Sequence, residues 1–129
     1  MKVLIVEDDF SIINLYTKIL KESFQADVFT ATHFDAAVDL FDNGIVDFDL
    51  VVCDHNFPYC PTERPEELGA TILFELISVG FKKHFLHFSR DPVPDKYLGK
   101  DRVIFHSIDK SASDAVELFC NYVKSLKIN

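Results

Sequence analysis

Two short apolar runs in this chain end in carboxylates. KVLIVEDD carries Asp8 and Asp9 just past its apolar stretch, and DLVVCDHNFP carries Asp54. A continuous apolar run bounded in this way suits a strand buried on both faces of a parallel sheet. Charge where such a strand ends does nothing for packing. If the two strands are neighbours, three carboxylates converge and repel one another. A divalent cation relieves that repulsion, and oxygen-only ligands suit a hard ion such as Mg²⁺.

The elements that must hold these groups follow an alternating rhythm. Ile12, Ile13, Tyr16, Ile19 and Leu20 recur at helical spacing up to about Phe24. Asp27 to Thr30 reads as a strand. Thr32 and Asp35 read as a capping pair for a helix with Phe34, Ala37, Val38 and Phe41 on one face, stopped by Asn43-Gly44. Leu50 to Cys53 is the next strand, followed by a long, proline-bearing loop from Asn56 to about Pro65. Leu68, Ile72, Leu76 and Val79 mark a helix that Gly80 ends.

His84 to Phe88 and Val103 to His106 are two further strands. Pro92, Pro94 and Gly99 between them leave room only for a short or distorted helix. Ser111 reads as the cap of a last helix with Ala112, Ala115, Val116, Phe119, Val123 and Leu126 facing inward. Strand and helix thus alternate five times, which implies an α/β fold with a parallel sheet wrapped by helices on both faces.

Composition narrows the function classes. The 129 residues suit one domain with one core, and thirteen Phe with 48% hydrophobic content exclude a disordered chain. A net charge of −8 argues against a nucleic-acid partner and for cations or basic protein faces. No apolar stretch is long enough to span a membrane, and no signal-peptide pattern precedes the first strand, so a cytoplasmic protein is expected. Cys53, Cys60 and Cys120 are read as reduced thiols. Four glycines and no phosphate-binding glycine string leave nucleotide binding without support. His55 with Cys60 lacks the second pair of ligands that a zinc site needs.

In doubly wound sheets the ligand site lies at the carboxyl ends of the strands. Ser89 after the fourth strand and Lys110 beyond the fifth stand at such ends, as do Asp8, Asp9 and Asp54. Acids to hold Mg²⁺, a carboxylate nucleophile, and a hydroxyl and an ammonium to stabilise phosphoryl oxygens make a phosphoryl-transfer site. With VEDDFS, VVCDHNFP, HFSR and SIDKS in order along its length, the chain resembles a stand-alone receiver domain of two-component response regulators, the CheY-like type.

The resemblance implies a flavodoxin-like, doubly wound five-stranded sheet of order 2-1-3-4-5 in a single domain over 1–129, with no output domain. It implies phosphoryl acceptance by Asp54 and Mg²⁺ held by Asp8, Asp9, Asp54 and the backbone carbonyl of Asn56. Ser89 is then the switch hydroxyl and Lys110 the counter-ion. A histidine kinase or histidine phosphotransfer protein would supply the phosphoryl group, and a downstream protein target would read it through protein–protein contact. No turnover of an external substrate is expected.

The chain also departs from the family pattern. The loop between Pro58 and Gly69 is longer than usual, and Arg90 stands where a small residue normally follows the hydroxyl. Ser107 replaces the usual aromatic switch, and Ser111 replaces the usual proline after the lysine. Prolines fill the region of the fourth helix, Asp91 to Gly99. The long loop, Arg90 and the missing aromatic switch favour the alternative, a receiver-like interaction module that works without phosphate, whereas the complete acidic site counts against it. A hydrolase of similar fold would carry an acid two residues after the nucleophile, where this chain has Asn56.

Overall fold

The computed structural model describes residues 1–42, 47–95, 97 and 99–126. The strands that hold the acids form as their sequences demand. In β1 (Lys2–Val6), Val3, Leu4, Ile5 and Val6 are all at most 1% exposed, so both faces of the strand are covered. β3 (Leu50–Cys53) is equally buried and pairs in parallel with β1, Val6 opposite Cys53. With β2 (Asp27–Ala31), β6 (His84–Phe88) and β7 (Ile104–Ile108) they build a five-stranded parallel sheet of order β2-β1-β3-β6-β7. Counting only these five strands, that is the expected order 2-1-3-4-5.

Alternation along the strands sorts the core into two layers. Val3, Ile5, Leu50, Val52, Leu86, Phe88 and Ile108 meet α1 (Phe10–Phe24) and α4 (Ala115–Ser125). There Tyr16 packs edge-on against Phe88 and Phe119, with centroids 4.7 and 4.8 Å away. Leu4, Val6, Val51, Cys53 and Phe85 face α2 (Phe34–Asp42) and α3 (Gly69–Ser78).

Several local expectations are corrected. The long loop after β3 contains a β-hairpin, β4 (Asn56–Pro58) against β5 (Pro65–Glu67), closed where Pro58 pairs with Pro65. Proline lacks the N–H that a ladder needs, so the pairing ends there. Fully buried Phe57 roots the hairpin in the core, and Tyr59 stacks on Phe34 at 4.9 Å. The Asp35 N–H donates to the Tyr59 carbonyl, while the Thr32 hydroxyl faces His33 Nδ1, so the hairpin serves the start of α2 in place of the expected Thr32 cap. Asn43-Gly44, expected to stop that helix, lies outside the described residues.

The last helix starts at Ala115, later than Ser111, so Ala112 precedes it, and Val116, expected to face inward, is 43% exposed. The Ser111 N–H and hydroxyl both donate to Asp109 Oδ1, closing a turn ahead of the helix. Between β6 and β7 the described residues hold only a 3₁₀ turn at Lys100–Arg102, entered through Gly99 at φ +82°. Tyr97 from this segment is 2% exposed and inserts beneath the carboxyl end of β3.

β7 borders the sheet, and Ile104 is 56% exposed on it. Ile104 N–H donates to Lys83 and Ile108 accepts from Ser89, so even-numbered positions turn toward β6. The backbone groups of Phe105 and Ser107 therefore face outward.

Among the described glycines, Gly69 marks the tightest approach. A Cβ there would run into the Tyr97 hydroxyl and lie 2.7 Å from the Asp54 carbonyl oxygen. Gly69→Ala is expected to cost about 2 kcal/mol, the scale of overpacking a close-packed site. Urea unfolding would measure it, and an unchanged midpoint would show that Tyr97 is not seated against this residue.

Candidate functional site

The carboxyl ends of β1, β3, β6 and β7 open onto a cleft of about 380 Å³ lined by Glu7, Asp8, Asp54, Asn56, Ser89 and Lys110. Asp54 follows β3 directly and is 7% exposed. Its Oδ1 accepts the His55 N–H at 2.7 Å and its Oδ2 accepts from Lys110 Nζ at 2.8 Å. Lys110 reaches back from beyond β7 and also donates to Glu7 Oε1 at 2.6 Å. One ammonium is thus wedged between two buried carboxylates.

Electrostatics follow from that crowding. Burial, reinforced by the neighbouring Asp54 charge and opposed by Lys110, pushes the Glu7 carboxyl up to about 7. Burial works against the Lys110 charge, yet its hydrogen bonds to Asp54 and Glu7 outweigh that and raise the lysine above its ordinary value. Burial, with the nearby Asp54 and Glu7 charges, drives the Cys53 thiol far up, which keeps it protonated and unreactive.

The acids do not gather quite as the sequence reading expects. Glu7, Asp8 and Asp54 each offer an oxygen within 4.8 Å of the others, and Asp9 stands outside this group. Asp9 is the N-cap of α1: its Oδ1 accepts from the Ser11 N–H at 2.9 Å and the Ser11 hydroxyl at 2.6 Å. Those bonds hold its exposed carboxyl below the usual range. Glu7 escaped notice although it is the first charge after the apolar run, and so the one nearest the sheet. Three carboxylates with no nitrogen or sulfur donor among them fit a hard divalent ion.

The remaining expected residues line the cleft. Ser89 is 2% exposed, and its hydroxyl oxygen accepts the Asp91 N–H at 3.1 Å. Asn56 begins β4, and its side-chain amide donates to Asp91 Oδ2 at 2.8 Å. Arg90 is exposed at the cleft's rim. Beneath the cleft lies a buried group that sequence reasoning missed: His55, His87 and Tyr97 are 3%, 0% and 2% exposed. No spacing rule links Tyr97 to His55, because a loop without helical or strand period brings them together. The three cysteines are free. Among the described residues no helix is long and apolar enough to cross a membrane.

No protein-family model matches the sequence. No curated protein matches it either. Solved structures do. The response regulator TrrA from Thermotoga maritima, in complex with Mg²⁺ and BeF, superposes with a TM-score of 0.70 at 21% identity, covering 97% of this chain and 98% of that one. The chemotaxis protein CheY4 of Vibrio cholerae gives 0.70 at 21% identity, over 97% and 98%. The non-phosphorylated HemR receiver domain of Leptospira biflexa gives 0.72 at 21% identity, over 99% and 97%. At this identity the likeness establishes the fold, which is that of response-regulator receiver domains.

Proposed function

We propose that this chain is a receiver that accepts a phosphoryl group on Asp54 in a Mg²⁺-dependent reaction and signals through protein–protein contacts. The observation that carries the reading is the Lys110 ammonium bonded at once to Asp54 and Glu7, with Asp8 completing the carboxylate group. Glu7, Asp8, Asp54 and the Asn56 backbone carbonyl would hold the ion; the expected role of Asp9 passes to Glu7. Mg²⁺ supplies charge neutralisation at the phosphoryl oxygens when bound.

The chain's own residues do the rest. An Asp54 carboxylate oxygen forms a bond to phosphorus as the phosphorus–nitrogen bond of a phosphohistidine donor breaks, and the leaving imidazole takes up a proton. The His55 N–H holds the other carboxylate oxygen and so orients the nucleophile. Lys110 is placed to pair with the charge that the phosphoryl group brings, and the Ser89 hydroxyl faces the same cleft. In this reading a histidine kinase or phosphotransfer protein supplies the phosphohistidine, and no external substrate is turned over.

Incubation with Mg²⁺ and a small acyl phosphate, followed by intact-mass measurement, tests the reading; absence of a phosphoryl-sized gain would leave the phosphate-independent module. The revised ligand set has its own test. Asp8→Asn is expected to weaken Mg²⁺ binding by about tenfold or more, since it deletes a carboxylate from the seat. Asp9→Ala is expected to cost about 1 kcal/mol of stability through the lost cap, with Mg²⁺ affinity nearly unchanged. Titration calorimetry and thermal unfolding read the two effects separately, and the opposite pattern would restore Asp9 to the metal.

A further inference from the structure

The buried group under the cleft contains one bond made and one missing. His55 Nε2 lies 3.1 Å from Glu67 Oε1, a carboxylate that only accepts, so in the neutral imidazole Nε2 carries the proton and Nδ1 is bare. The Tyr97 hydroxyl, 3.2 Å from that Nδ1, therefore donates to it. His87 lies on the other side of the tyrosine, its ring 5.1 Å from that of Tyr97 and nearly perpendicular. Its Nδ1 is 3.1 Å from Ser107 Oγ, on the outer strand of the sheet. Its Nε2 is buried and has no hydrogen-bond partner among the described residues. A buried polar atom left unpaired is costly and calls for an explanation.

The tyrosine is tied to the acceptor at both ends of its segment. At the near end, the Ser89 hydroxyl holds the Asp91 N–H and the Asn56 amide holds the Asp91 carboxylate. At the far end, Tyr97 bonds His55, whose N–H holds Asp54. Pro92 and Pro94, with fixed φ angles, stiffen the described residues that follow Asp91.

We infer that the Tyr97 hydroxyl is a two-position contact, on His55 while Asp54 is free and on His87 Nε2 once Asp54 is phosphorylated. The inference rests on the receiver reading. Phosphorylation places strong acceptor oxygens in the cleft that Ser89 lines, and a rotamer change that carries the Ser89 oxygen to them withdraws it from the Asp91 N–H. The segment shifts, Tyr97 leaves His55, and the orphaned His87 nitrogen gains its donor. His87 hands the change to Ser107, which is exposed on β7. The element has two discrete arrangements, as a switch needs.

The chain has four tyrosines and no tryptophan, which makes fluorine NMR of the 3-fluorotyrosine protein tractable. Tyr97→Phe assigns the Tyr97 resonance by its loss. Mg²⁺ with beryllofluoride is expected to move that resonance in the wild type. In His87→Leu the resonance should stay near its free position, with beryllofluoride binding weakened about fivefold, the equivalent of one hydrogen bond. Bound beryllofluoride, seen by its own fluorine signal, with Tyr97 unmoved in the wild type overturns the inference and leaves the receiver reading standing. The same movement in His87→Leu as in the wild type also overturns it. No bound beryllofluoride at all overturns the receiver reading and the inference with it.

Discussion

Asp54→Asn is expected to abolish phosphoryl uptake from an acyl phosphate, with a fall of roughly a thousandfold or more, as when a covalent nucleophile is removed. The substitution is nearly isosteric. The introduced amide keeps a side-chain oxygen to accept the His55 N–H, so the geometry at the end of β3 is retained. What disappears is the anionic oxygen that now faces Lys110 at 2.8 Å. The second cause of the raised Glu7 carboxyl disappears with it, so Glu7 should titrate lower in the variant. Intact mass with and without Mg²⁺ reads the first effect, and circular dichroism confirms the fold. Undiminished uptake by Asp54→Asn would transfer the acceptor role to another carboxylate of the cleft.

Glu7→Gln is expected to act in opposite directions on stability and on metal binding. The Glu7 carboxyl is 2% exposed, and folding raises it from 4.5 to about 7. Between those values the folded protein keeps a proton that the unfolded chain has released. Its stabilising contribution is therefore full below pH 4.5 and is lost as the pH rises through 7. The loss amounts to roughly 3 kcal/mol by the free-energy equivalent of such a shift.

His84 and His87 work the other way, since burial lowers both and their contribution is lost as the pH falls. The wild type alone would blur the two trends, so the difference between wild type and variant isolates Glu7. Without Mg²⁺, Glu7→Gln should match the wild type near pH 4.5 and be more stable by a few kcal/mol at about pH 8. With one carboxylate gone from the seat, its Mg²⁺ affinity should fall by about tenfold or more. Urea unfolding across pH, paired with calorimetric titration of Mg²⁺, gives both quantities. A pH-independent difference would show that Glu7 does not carry the proton.

The strands were legible because a strand buried on both faces writes itself as a largely apolar run; their order came from the resemblance to receiver domains and not from the runs. β1 and β3 carry such runs, β6 is broken by His84 and His87, and a polar or charged residue just past each strand locates the cleft. Asp54, Ser89 and Lys110 could be picked out for the same reason: each follows a recognisable strand. Asp8 and Asp9 were harder, because three consecutive acids all suit a strand-to-helix turn. Only geometry separates Asp9, which caps α1 at the cleft's lining, from Glu7 and Asp8, which gather with Asp54. The hairpin was read as loop, since each of its strands is three residues long and carries no period. Tyr97 and His55 meet through tertiary packing alone, which local pattern does not encode.

The uncovered border of the sheet bears on how this protein behaves in concentrated solution. Among the described residues no strand pairs with the outer side of β7, where Phe105 and Ser107 present peptide groups beside exposed Ile104. Such a border invites end-to-end growth of sheets between molecules. Surplus negative charge, −8 at neutral pH, keeps like molecules apart. Colloidal stability is then a property of the whole surface guarding one strand. It is weakest near pH 4.9, where the repulsion vanishes while the bare peptide groups remain.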